Sequence, residues 1–163
     1  MLPDIYWVTE AGPGRLGLMA RPRGGEWLVE EIAGWRQLSV ATVVSLLEPS
    51  EAKDLELSDE GKACETQNIS FVSHPIADRG VPSVPAKFGS LVRDLADQVR
   101  NGKAVVVHCR AGIGRSGLLA AAVLAELGHP MQDAFPAVSR ARRVQVPDTS
   151  DQEKWLLAGR WRR

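Results

Sequence analysis

Apolar positions along this chain alternate between two periods. Short continuous or alternating runs read as strands, and three-and-four spacings read as helices. Ile5 to Val8 and Leu16 to Ala20 predict a first hairpin around the turn-rich Ala11-Gly12-Pro13-Gly14. Glu26 to Leu38 has helical spacing, with Leu28, Ile32 and Trp35 on one face. Val40 to Leu47 is continuous and rich in β-branched residues, the mark of a buried strand. Pro49 opens a short helix, where proline fits the first turn, and Ser58 to Glu65 suits another. Ile69 to Val72 predicts a strand, and Ala77 to Pro85 a proline-bearing loop. Pro85 to Asn101 predicts an amphipathic helix with Phe88, Leu91, Leu95 and Val99 inward, closing at Gly102. Ala104 to Val107 is a short buried strand, followed by a glycine-bearing loop and an apolar helix from Gly117 to Leu127 that stops at Gly128. Met131 to Arg142 and Ser150 to Trp161 are the last helices, and Pro136 disturbs the first of them.

Strands alternating with helices predict an α/β domain. At 163 residues the chain suits one domain, 1–163, large enough to bury a core without staples. Twenty basic and twenty acidic side chains cancel, which gives no electrostatic case for a nucleic acid or a membrane and leaves a monomer as the default. The cysteines, Cys64 and Cys109, are too few and too far apart for a disulfide scaffold. No CxxC or Cys/His cluster points to a metal, and no cofactor is expected. The N-terminal MLPDIYWVTE lacks a basic and apolar leader, and the Gly117–Leu127 helix is too short to span a bilayer. A cytoplasmic thiol enzyme is the expectation.

The chemistry is concentrated in Val105-Val106-Val107-His108-Cys109-Arg110-Ala111-Gly112-Ile113-Gly114-Arg115-Ser116-Gly117. A buried strand enters a glycine-bearing loop that opens a helix, which aims successive backbone N–H groups at one point. Such a point suits an anion with several oxygens. A cysteine at its base is exposed to helix-terminal amides and a guanidinium, both of which favour thiolate. Arg115 can curl back and grip two phosphate oxygens with a planar fork that lysine lacks. Ser116 is placed to stabilise the departing thiolate. An acid is then needed for the leaving oxygen. Asp78 suits that role on a loop after a strand, whereas Asp94 and Asp97 fall on a helix.

These residues carry a resemblance. His108-Cys109, five residues, then Arg115-Ser116 resembles the signature loop of the protein-tyrosine phosphatase superfamily. Asp78 falls where that superfamily places its general acid. The Ala111-Gly112-x-Gly114-Arg115-Ser116 form resembles the dual-specificity branch. His74-Pro75-Ile76-Ala77-Asp78-x-Gly80-x-Pro82 resembles its cyclin-dependent-kinase-associated phosphatase group. The resemblance implies a central, mostly parallel sheet of four or five strands flanked by helices, and metal-free two-step hydrolysis of a phosphorylated protein or peptide. It makes Cys109 the nucleophile, Arg115 the clamp, Asp78 the acid and then base, and Ser116 an aid to thiolate release. The amides of Arg110, Ala111, Gly112, Ile113, Gly114 and Arg115 become the phosphate cradle. Some relatives position the hydrolytic water with a glutamine, for which Gln152 and Gln145 are candidates, Gln152 favoured by its neighbouring Trp155-Leu156.

Other residues stay open. His108 either tunes the nucleophile or fixes the loop. Cys64 is either a core cysteine or a reversible disulfide partner of Cys109. The five tryptophans read as packing, and Arg140, Arg142 and Arg143, with the tail Arg160 to Arg163, read as solvated faces, the first run also as a recruiter of acidic substrates. A phosphoinositide or an RNA 5′-phosphate substrate is the first alternative, disfavoured because only Arg110 is basic among the variable loop positions Arg110, Ala111 and Ile113. Sulfur transfer and phosphoprotein binding without turnover are the others. The full set of Cys109, Arg115 and Asp78 argues against both.

Overall fold

The computed structural model describes residues 4–162, so Arg163 of the basic tail lies outside the described residues. Five strands form one sheet in the order β1-β2-β5-β3-β4. They are β1 (Tyr6–Trp7), β2 (Arg15–Met19), β3 (Val40–Ser45), β4 (Ser70–Ser73) and β5 (Ala104–His108). Only β1 is antiparallel to its neighbour; β2, β5, β3 and β4 run parallel. Seven helices surround them: α1 (Leu28–Gln37), α2 (Pro49–Asp54), α3 (Glu60–Thr66), α4 (Pro85–Arg100), α5 (Gly114–Glu126), α6 (Met131–Arg142) and α7 (Ser150–Ala158). The predicted sheet of four or five mostly parallel strands is the one observed.

Strand β5 shows why the sheet is central. Its side chains alternate between two cores, as a period of two demands. Val105 and Val107 join the core beneath α4, α5 and α6, while Val106 joins Ile32, Trp35 and Cys64 on the other face. All three valines are fully buried, each contributing about 1.5–2 kcal/mol of apolar burial. Parallel strands put their C-terminal ends on one edge, where the connecting loops meet and α/β folds bind ligands. Register places Met19, His108 and Ser45 side by side there, with Ser73 next to Ser45.

Several boundaries moved. Helix α5 begins at Gly114 rather than Gly117, so Arg115 and Ser116 stand in its first turn. On α4 the inward row is Phe88, Val92, Leu95, Ala96 and Val99; Leu91 is only half-buried, because the stripe follows four-residue steps toward α5. The last predicted helix breaks at Gly159, whose φ is +71°, and a 3-10 turn over Arg160–Arg162 then buries Trp161. The Trp161 indole donates to the Leu156 carbonyl at 3.1 Å and meets Phe88 edge-on. Helix α6 runs through Pro136 and ends on Arg143 at φ +66°. No helix among the described residues is long and apolar enough to cross a membrane.

Candidate active site

The loop from Cys109 to Ile113 joins β5 to α5 at the C-terminal edge of the sheet. Its outward carbonyls are each held by a donor from outside. The Arg21 amide donates to Arg110 O at 3.1 Å. Arg142, from the last turn of α6, donates Nε to Gly112 O and Nη2 to Ala111 O, both at 3.1 Å. The amides of Arg110, Ala111, Gly112 and Ile113, by contrast, have no protein acceptor among the described residues. Peptide units whose carbonyls point out present their N–H groups inward, next to the positive end of α5. Gly112 makes the turn possible. Its φ is +73°, and a Cβ there would lie 2.4 Å from the Met19 carbonyl carbon. In the basic run at the end of α6, Arg142 is the exception to a solvated face: it braces the loop and stacks over Tyr6, while Arg140, paired with Glu10 at 2.7 Å, and Arg143 stay exposed.

Cys109 lies at the base of this loop, buried and reduced. Cys64 is also a free thiol but sits in the core across the sheet. Burial, helped by the charge of Glu60, pushes its pKa up to about 12.

Arg115 is 2% exposed and gathers three segments at once. Its Nη1 donates to Glu51 Oε1 at 2.7 Å and to Ile76 O at 2.8 Å, and its Nη2 to Glu51 Oε2 at 3.0 Å. Glu51 is thus held by a two-pronged pair, and the guanidinium draws its carboxyl down to about 2. Glu51 sits in the first turn of α2, where its Oε1 also accepts from the Glu48 amide. The second anion on the guanidinium is Asp78: Nη2 reaches its Oδ1 at 3.2 Å, but the aspartate side chain is 59% exposed.

The loop that carries Asp78 is pinned from outside. Gly80 N donates to Ala77 O at 2.7 Å, and Gln152 Nε2 donates to Gly80 O at 3.0 Å. The Gln152 oxygen accepts from the amides of Asp148 and Thr149, and the Gln152 amide donates to Thr149 Oγ1. This fully buried carboxamide is therefore taken up in capping α7 and bracing the acid loop. Asp148 is the carboxylate that reaches the start of α5 from this side: a Cβ on Gly114 would lie 2.4 Å from its Oδ2. The Ser116 hydroxyl is buried without a hydrogen-bond partner among the described residues. Buried polar atoms are rarely left so, and those that are call for an explanation.

His108 is wholly buried, with Nε2 2.6 Å from Glu60 Oε2 and Nδ1 3.4 Å from Cys109 O. Cys109, Arg115, Asp78, Ser116 and the cradle residues thus meet at one edge, with His108 directly behind. Sequence reasoning missed Glu51, Glu60 and Asp148, and it read Arg142 as a solvated face where the side chain braces the loop. A hollow of about 550 Å³ lined by Gly61, Glu65 and Phe71 lies at the β4 edge and contains none of the candidate residues.

Residues 16–129 match the family described as "Polymorphic toxin system, DSP-PTPase phosphatase". The chain belongs to this phosphatase family. It is also 36% identical over 121 residues to human receptor-type tyrosine-protein phosphatase H, and 37% identical over 85 residues to rat cyclin-dependent kinase inhibitor 3. Those matches cover 72% and 51% of this chain, but only 9% and 40% of the relatives' own lengths. Among solved structures, kinase-associated phosphatase with its catalytic-site cysteine replaced by serine superimposes with a TM-score of 0.85 at 20% identity, covering 96% of this chain and 93% of that one. Tk-PTP in its active form gives 0.77 at 26% identity over the whole of both chains. The fold of this phosphatase is thus that of tyrosine and dual-specificity phosphatases.

Proposed function

We propose that this phosphatase hydrolyses phosphotyrosine in proteins, with phosphoserine and phosphothreonine as further substrates, through a phospho-cysteine intermediate on Cys109. The observation that carries the reading is the ring of unpartnered loop amides closed over a buried cysteine, with Arg115 entering from the same turn. A dianionic phosphoryl group supplies the acceptors those amides lack.

In the first step Cys109 Sγ attacks phosphorus. The amides from Arg110 to Arg115 and the Arg115 fork hold the equatorial oxygens as charge spreads over them. The S–P bond forms, the P–O bond to the leaving group breaks, and Asp78 gives its proton to that oxygen. Phosphate also displaces Asp78 from Arg115, which frees the aspartate to carry that proton. Glu51, bound by two prongs, keeps the guanidinium in place meanwhile. In the second step the Asp78 carboxylate takes a proton from water as the water attacks phosphorus. The S–P bond breaks, phosphate leaves, and the Ser116 hydroxyl donates to the returning thiolate. Gln152 serves by holding the acid loop at Gly80. A reduced Cys109 suits a cytoplasmic setting, and the protein works as a monomer. Arg110, the one basic variable residue, leans on Glu51 at 3.4 Å. That favours a single phosphate over the several phosphates of an inositol headgroup.

The test is turnover of p-nitrophenyl phosphate, a phosphotyrosine peptide, a phosphothreonine peptide and a phosphoinositide, with chelator present. Native protein is expected to cleave the phosphotyrosine peptide, and Cys109→Ser to cleave nothing. Turnover of the phosphoinositide alone would overturn the protein-substrate reading.

A further inference from the structure

Glu60 has no part in the chemistry above, yet it is the most deeply buried carboxylate among the described residues, at 2% exposure. It stands at the first position of α3 and reaches 48 residues along the chain to the last residue of β5. Burying a carboxylate and an imidazole together is costly, and apolar side chains of similar volume would fill this core as well. The pair does not serve Cys64, whose ionisation Glu60 opposes. What it does touch is the peptide of Cys109.

We propose that Glu60 is a positioning residue of the nucleophile, acting through His108; this rests on the reading of Cys109 as the reactive thiolate. The argument comes from counting donors and acceptors. His108 Nε2 faces the Glu60 carboxylate at 2.6 Å, and Nδ1 faces the Cys109 carbonyl at 3.4 Å. The Cys109 carbonyl can only accept, so Nδ1 carries a hydrogen, and the Glu60 carboxyl group takes the other side of the ring at Nε2. The Glu60 carboxylate secures that state and fixes the ring plane. The ring restrains the carbonyl of Cys109, and with it the direction in which Sγ enters the cradle. The other charges nearby are accounted for. Cys64 faces Glu60 from the next turn of α3. Arg115, with Glu51 and Asp78, lies with the Cys109 side chain. Met19 of β2 and Ser45 of β3, which flank His108 in register, bring no charge.

The test uses the full chain as native protein, Glu60→Gln and Glu60→Ala, each checked for folding by circular dichroism. The rate of Cys109 alkylation by iodoacetamide is followed against pH by mass spectrometry, alongside kcat and KM for p-nitrophenyl phosphate. In Glu60→Ala the alkylation profile is expected to move up by roughly one pH unit. Its kcat should fall by about 10- to 100-fold with KM held within about twofold. In Glu60→Gln the amide still hydrogen-bonds Nε2 but brings no charge, so kcat should recover to within about fivefold of native while the alkylation profile stays shifted. A folded Glu60→Gln protein whose alkylation profile overlays the native one overturns the proposal, whatever Glu60→Ala does. Alkylation needs no substrate. A native protein without turnover but with a shifted profile in the variants would therefore remove the phosphatase reading and keep this one.

Discussion

Two carboxylates touch the same guanidinium and are held in opposite ways. Glu51 comes from the start of a helix, is buried, and binds Arg115 through both oxygens at 2.7 and 3.0 Å. Asp78 comes from a loop, is 59% exposed, and makes one contact at 3.2 Å. The difference divides a tightly held anion from a loosely held one. Glu51, bound through both oxygens and drawn down to about 2 by the guanidinium, stays an anion and anchors Arg115. The exposed, singly bound carboxylate is the one free to exchange partners. On the proposed mechanism, it is the freedom of the Asp78 carboxylate, and not its nearness to Arg115, that suits it to act as the acid.

The comparison can be broken most severely at its centre. Arg115→Ala removes the partner of both acids and strands a buried Glu51. It should cost at least about 1,000-fold in turnover and about 3–5 kcal/mol in urea unfolding. Glu51→Ala should separate the two roles, destabilising by about 3 kcal/mol or more in the same unfolding assay, because it leaves Arg115 buried and underpaired. Asp78→Asn should do the reverse. Its kcat on a phosphotyrosine peptide should drop by about 100-fold or more, with unfolding changed by less than about 0.5 kcal/mol. Acid sharpens the contrast. Glu51 falls from an ordinary 4.5 to about 2 on folding, worth roughly 3 kcal/mol. This stabilisation is complete above 4.5 and is lost as pH drops toward 2. Urea midpoints of native protein and Glu51→Gln should differ at pH 6 and converge by about pH 2. The smallest effect belongs to the brace on the acid loop: Thr149→Ala should cost about 1 kcal/mol through the lost cap, with only a mild loss of kcat.

Much of this site is contiguous, and that part was legible in the sequence. Cys109 to Ser116 is one strand–loop–helix passage, and Asp78 follows a strand that ends on the same edge. The α/β class followed from apolar runs alternating with helical spacings, and the mostly parallel sheet from the resemblance carried by the signature loop. The residues that steady the site were not legible, because their partners are remote in sequence. Glu51 is 64 residues from Arg115, Glu60 is 48 from His108, and Arg142 is 30 from Gly112. Each looks like an ordinary polar position on a short or amphipathic helix. Gln152 did carry a local signal, since Thr149-x-x-Gln152 is a capping box. Its carboxamide is accounted for by that motif and by Gly80, and Asp148, which touches Gly114, had no comparable mark.

The backbone contact behind Gly112 also shapes how the protein tolerates change. In a library of variants at the loop, Arg110 and Ile113, exposed and half-buried, should accept many replacements. At Gly112 even alanine would drive a methyl group into the main chain of β2, which cannot swing aside. At Gly114 the nearest obstacle is the Asp148 side chain, whose Oδ2 at 2.4 Å can rotate away and whose Cβ at 3.2 Å must give slightly. The loop would then diversify around one fixed point, and substrate preference could drift over generations while the cradle kept its shape.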